Sequence, residues 1–146
     1  MARIDGIYDS IQDYLETALS TAVTAFNLVD NISLPQIAEY DRGYKDIALG
    51  IRKYPAVLML EARRAPAEAY YGTLSLSISI AVKSTNLAQL ESWGRAFTDI
   101  LEDVLLEDHT LGGTCLDVHN LQLTSGETSN VYLVMAEFDM EVDRGG

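Results

Sequence analysis

The sequence predicts a two-layer α+β domain in which two helices cover one face of a four-stranded, mostly antiparallel sheet, in the order α-β-β-α-β-β. Three observations predict it. Residues 73–83 alternate without a break: Leu74, Leu76, Ile78, Ile80 and Val82 point one way, while Thr73, Ser75, Ser77, Ser79, Ala81 and Lys83 point the other. Successive side chains of a strand lie on opposite faces, so this strand has one oily face and one small, polar face. Two other stretches repeat apolar residues at three- and four-residue steps, the period of a helix with one buried stripe. Stripes of that kind need a sheet to cover, and one oily sheet face needs a lid.

The elements follow in order. Ile4, Ile7, Ile11, Leu15, Leu19 and Phe26 place a helix over 4–26, and its acidic first turns suit the positive end of the helix dipole. Residues 27–53 read as a long, irregular excursion, broken at Leu34-Pro35 and turning at Asp41-Arg42-Gly43. Residues 54–61 form a short apolar strand, with Pro55 confined to its start or to an edge because it has no donor. A polar connection over 63–72 makes the tip of a hairpin. After the alternating strand, Asn86 caps a second helix, and Gln89 three residues on completes a capping box. Leu87, Leu90, Trp93, Phe97, Leu101 and Val104 form its stripe. Gly94 lies on that stripe and implies a close approach, against an intrinsic helix preference for Ala of about 1 kcal/mol. Gly112-Gly113 stops the helical region. Residues 114–124 are a strand whose phase slips between Val118 and Leu121, the mark of a bulge. Residues 125–130 read as a hairpin loop, and 131–142 as the last strand, with Glu137, Asp139 and Glu141 on its polar face.

Bulk properties narrow the function. The chain has 146 residues, 48% of them hydrophobic, which fits a single folded domain over 1–146. No apolar run approaches the roughly 20 residues of a membrane span. The start, Met1-Ala2-Arg3-Ile4-Asp5, carries an acid and no apolar core, so it is expected not to be a secretion signal, and synthesis is expected in the cytoplasm. A net charge of −12 repels phosphate backbones and argues against gripping nucleic acid. Six of the ten basic residues fall between Arg42 and Arg64: Arg42, Lys45, Arg52, Lys53, Arg63 and Arg64. They are either a solvated surface or a basic side that meets an acidic side of another copy, head to tail.

Catalytic motifs are missing. His109, Cys115 and His119 lie close in sequence, but their spacing matches no zinc pattern, and one cysteine excludes an internal disulfide. No serine sits in a nucleophile elbow, and no glycine-rich loop follows a strand to cradle phosphate. Carboxylates along the second helix read as a solvated face. No metal, cofactor or enzymatic activity is therefore expected. Tyr70-Tyr71 beside Arg63-Arg64 is the best contact candidate, since Tyr and Arg dominate interface hot spots, although loop packing would use the same tyrosines.

Certain residues carry a family resemblance. Tyr54-Pro55-Ala56-Val57-Leu58 follows an amphipathic helix, and the alternating strand comes next. A helix then ends in Asp108-His109-Thr110-Leu111-Gly112-Gly113, and the chain closes on Ala136-Glu137-Phe138-Asp139-Met140-Glu141-Val142. This combination resembles the tail terminator, or tail completion, proteins of long-tailed bacteriophages and the related head–tail joining proteins. The resemblance implies a small α+β subunit in a virion, forming a homohexameric ring. The ring would cap the head-proximal end of the tail tube, bind the tube protein and the neck or head-completion protein, and let DNA pass without specific binding. It implies no cofactor, no membrane and no catalysis. Arg42, Arg52, Lys53, Arg63, Arg64, Tyr70 and Tyr71 are the expected contacts with neighbouring subunits or partners. A neck connector and a small ligand-binding domain with a pocket on the serine face are the alternatives.

Overall fold

A computed structural model describes residues 4–30, 33–42, 53–64, 71–108, 110–113, 115, 117–128 and 130–143. Helix α1 spans Ile4–Asp30, one turn beyond the stripe that ends at Phe26. Ile7, Ile11, Leu15, Leu19 and Val23, four residues apart, are its buried face. The chain then folds back along it. The side-chain amide of Asn27 accepts from the Leu34 N–H at 2.8 Å and donates to the Leu34 carbonyl at 3.0 Å. Gln36 Nε2 donates to Thr24 Oγ1 at 3.1 Å. Leu34 is buried as a result, and Ile37 packs on the core.

The sheet has five strands where four were expected. β1 spans Glu39–Arg42, β2 Ala56–Arg64, β3 Tyr71–Lys83, β4 Asp117–Thr128 and β5 Val131–Asp143, with α2, Leu87–Glu107, between β3 and β4. Their spatial order is β1-β2-β3-β5-β4. β1 runs parallel to β2, with Glu39 opposite Ala56 and Arg42 opposite Met59, and every other pair is antiparallel. The sheet is therefore mixed. β1 escapes a sequence reading because Glu-Tyr-Asp-Arg has one apolar residue in four. Its backbone pairing, begun by Ala38 N–H to the Pro55 carbonyl at 2.8 Å, needs no hydrophobic pattern.

A second difference lies in the last hairpin. Residues 125–128, expected in a loop, continue the ladder, with Ser125 opposite Val134 and Thr128 opposite Val131. The turn shrinks to the link between Thr128 and Val131, where Asn130 takes a φ of 65°. Ser-Gly-Glu-Thr has turn composition, but on an edge strand only the backbone has to fit. The expected bulge is present: the β4–β5 register shifts between His119 and Gln122, and Asn120 has a φ of 59°. Asn tolerates the left-handed region better than most residues do.

Both helices contribute to one core on one face of the sheet. The oily side of β3 meets α1, α2 and the even-numbered side chains of β5: Val134, Ala136, Phe138 and Met140. Full burial of one such large side chain contributes about 1.5–3 kcal/mol. Tyr14 of α1 donates to the Val104 carbonyl of α2 at 2.8 Å and ties the helices together. At the start of α2, Asn86 Oδ1 accepts from the Gln89 N–H at 3.1 Å. The return bond of a capping box is relayed: the Asn86 N–H donates to Ser84 Oγ, and Ser84 Oγ donates to Gln89 Oε1. Gly94 sits against the Tyr132 ring, where a Cβ would come within 2.4 Å.

Candidate functional site

The face of the sheet turned away from the helices is the surface the fold leaves for function. Pairing fixes which residues share it. Ser75, Ser77 and Ser79 of β3 stand between β2 and β5, with Asp139, Glu137 and Met135 opposite them on β5 and Leu60 and Leu58 opposite Ser77 and Ser79 on β2. The serines are 7–9% exposed, because the larger neighbours on both strands rise above them. Ala56, Ala81 and Val131, with Tyr54, Leu58 and Leu133, form a small apolar cluster on this face, separate from the main core. A row of short hydroxyl side chains thus floors a shallow channel between taller walls.

The acidic end of that channel is built by the bulge. Its left-handed Asn120 places Nδ2 at 3.0 Å from Asp139 Oδ2, while Ser75 Oγ donates to Asp139 Oδ1 at 2.5 Å. Asp139 is held from two strands at once. One residue before Asn120, His119 places Nε2 3.9 Å from Glu141 Oε1. Ser75, Asn120, Gln122, Glu137 and Asp139 line an open groove of about 440 Å³. The walls are polar and negatively charged, which suits contact with a cationic or hydrogen-bond-donating surface. At the other end of β3, Lys83 Nζ lies 5.5 Å from the Tyr54 ring centroid, a cation–π distance.

The expected contact residues scatter. Arg42 is exposed but engages its own chain: its guanidinium pairs with Asp9 of α1 at 2.5 Å, donates to Gln12 Oε1 at 3.1 Å and lies 6.0 Å from the Tyr8 ring centroid. It clamps β1 to α1. Lys53 is exposed just ahead of β2. Arg63 and Arg64 occupy the far end of the same strand, paired with Ser75 and Leu74, and Tyr71 opens β3 opposite Asp143. At roughly 3.3 Å per residue, Lys53 and Arg63 stand about 33 Å apart, so the basic run of the sequence is not one compact patch among the described residues. Arg52, Lys45 and Tyr70 lie outside the described residues, as does His109.

The titratable groups with displaced affinities move away from reactivity at neutral pH. Burial, then the charges of Asp117 and Asp108, pushes the Cys115 thiol up to about 11. A thiol held protonated is a poor nucleophile and a poor metal ligand. Burial and then Glu16 push Tyr40 up to about 12. Tyr14 is raised by burial, then by Asp108 and Glu107. Among the described residues no three His, Cys, Asp or Glu side chains converge on a metal position, and no helix is long and apolar enough to cross a membrane.

Sequence reasoning marked the serine row and the bulge separately but missed that they meet. The ladder joins Ser75 and Asn120 through Asp139, residues 64 and 19 positions apart from it. The only available signal was the shared phase of Asp139 with Glu137 and Glu141. No family model matches the chain, and a search of curated proteins matches none.

Proposed function

We propose that this chain is a non-enzymatic assembly subunit resembling the tail terminators of long-tailed bacteriophages. In this reading it forms a ring, expected to be hexameric, at the head-proximal end of the tail tube. The ring stops tube growth, joins tail to neck and resides in the virion. The observation that carries the reading is the one-sided sheet. Two helices cover one face, while the other keeps a floor of serines and a graded surface, and edge strand β4 keeps Gln122, Thr124, Ser125, Gly126 and Glu127 exposed. A face and an edge of this kind serve protein contacts, by packing and by strand addition. The net charge of −12 supports a lumen that does not hold passing DNA.

Electron microscopy of particles assembled without this chain tests the reading. Overlong tails, or tails detached from heads, are the expected phenotype. Particles with attached tails of normal length would refute it.

A further inference from the structure

The uncovered face is graded along its strands. Lys83 is exposed at one end, two residues beyond the Ala56–Ala81 pair. At the other end the Thr73 row carries Glu141 and then Asp117 across β5 and β4, both exposed. Glu137, also exposed, lies two rows inward. Between the ends lie Ser77 and Ser79. Asp139 is held by Ser75 and Asn120, and Glu39 and Asp41 at the β1 edge are already partnered. Among the side chains described, the exposed charges of the face are therefore Lys83 at one end and Glu137, Glu141 and Asp117 toward the other.

We infer that this face docks on the same face of a second copy, with the strands reversed about a two-fold axis lying between the sheets at right angles to the strands. Charge decides the orientation. An axis passing between Ser77 and Ser79 is five residues from both Lys83 and Thr73, so it sets each Lys83 over the other copy's Glu141–Asp117 row. The unreversed arrangement would put acid on acid. The contact is self-complementary, as a two-fold interface requires. The short serines let the backbones approach to the usual sheet-to-sheet distance of about 10 Å. The stretch from Thr73 to Lys83 is about 33 Å long, and β3, β5 and β4 together are about 15 Å wide, so each copy buries about 500 Å². A total of about 1,000 Å² is at the lower limit for a specific interface and marks a weak, reversible dimer. The inference is independent of the ring reading, since a ring built through other surfaces would still carry this face.

Sedimentation equilibrium tests it, on the full chain at about 0.15 M salt, where a Debye length of about 8 Å screens the overall charge but not facing side chains. The variants are Lys83→Glu and Glu141→Lys, both at exposed positions. Each alone is expected to raise the dimer dissociation constant about tenfold, because each places two repulsive contacts in a symmetric interface. An equimolar mixture of the two is expected to recover the wild-type constant within about threefold, because both contacts again join opposite charges. Glu141→Lys lowers the net charge to −10, so weakening by this variant opposes the trend of general repulsion. A wild-type chain whose mass never doubles at several hundred micromolar, reversals that leave the constant unchanged, or a mixture no tighter than its components would each overturn the inference. Rings that form without face pairing would sink this inference alone. Face pairing without rings would sink only the ring reading.

Discussion

Gly94→Ala isolates how tightly the α2 lid is seated. A methyl at residue 94 would lie 2.4 Å from Cδ1 and Cγ and 2.5 Å from Cε1 of Tyr132, about 1 Å inside the ordinary contact distance for carbon. The obstructed atoms include Cγ, the root of the ring, so a rotation of the far end cannot relieve the clash. Either the ring leaves its rotamer, at about 0.5–1.5 kcal/mol, or α2 lifts from β5 and loosens Phe97 and Leu101, both fully buried. Overpacking of this kind costs about 1–3 kcal/mol. Ala returns about 1 kcal/mol through helix propensity. The expected net is a destabilisation of about 1–2 kcal/mol, read as a lower urea midpoint at unchanged slope. The control is decisive. In a Tyr132→Ala background the obstruction is gone, and Gly94→Ala should stabilise by about 1 kcal/mol. Stabilisation by Gly94→Ala in the wild-type background would mean that no close contact with Tyr132 opposes the helix preference.

The same geometry sets three further outcomes. Asn27→Ala strands the Leu34 N–H and carbonyl beside a buried side chain and should cost about 1–3 kcal/mol in urea unfolding, with faster amide exchange at Leu34. Asp108 accepts from the Thr110 N–H at 2.9 Å, the Thr110 hydroxyl at 2.7 Å and the Gly112 N–H at 3.0 Å; Asp108→Ala should cost about 1–2 kcal/mol by the same assay. Cys115 gives a pH dependence of definite sign. Its folded-state affinity for the proton lies above its ordinary value of 9.0, so above that pH the unfolded chain loses the proton first. Its contribution is therefore fully present below pH 9 and lost as pH rises toward about 11, and Cys115→Ala should flatten that limb of the stability curve.

Most of the fold was legible because hydrophobic period dominates it. α1, α2, β3 and β5 each carry one apolar stripe or one apolar face, and each announces itself at a period of 3.6 or 2. The slip between Val118 and Leu121 revealed the bulge, and Gly94 revealed a close approach without naming Tyr132. The two failures lie at the edges of the sheet. β1 and the end of β4 are polar because edge strands need only backbone partners, so composition cannot separate them from loops. The site was less legible for a different reason. Charge density along the chain pointed to Arg42, yet its partner is Asp9, 33 residues away, and that pairing is fixed by the parallel placement of β1 rather than by local sequence. Asp139, Ser75 and Asn120 meet through register across three strands, which no local pattern encodes.

The proposed role is assembly at the end of a tail tube. Imaging of isolated tail tubes mixed with the purified chain tests it most directly. A tube-end role requires rings on one end of each tube, with a native mass near six times 16.1 kDa for the ring itself. Bare tube ends beside a chain that stays unassembled in the mixture would contradict it.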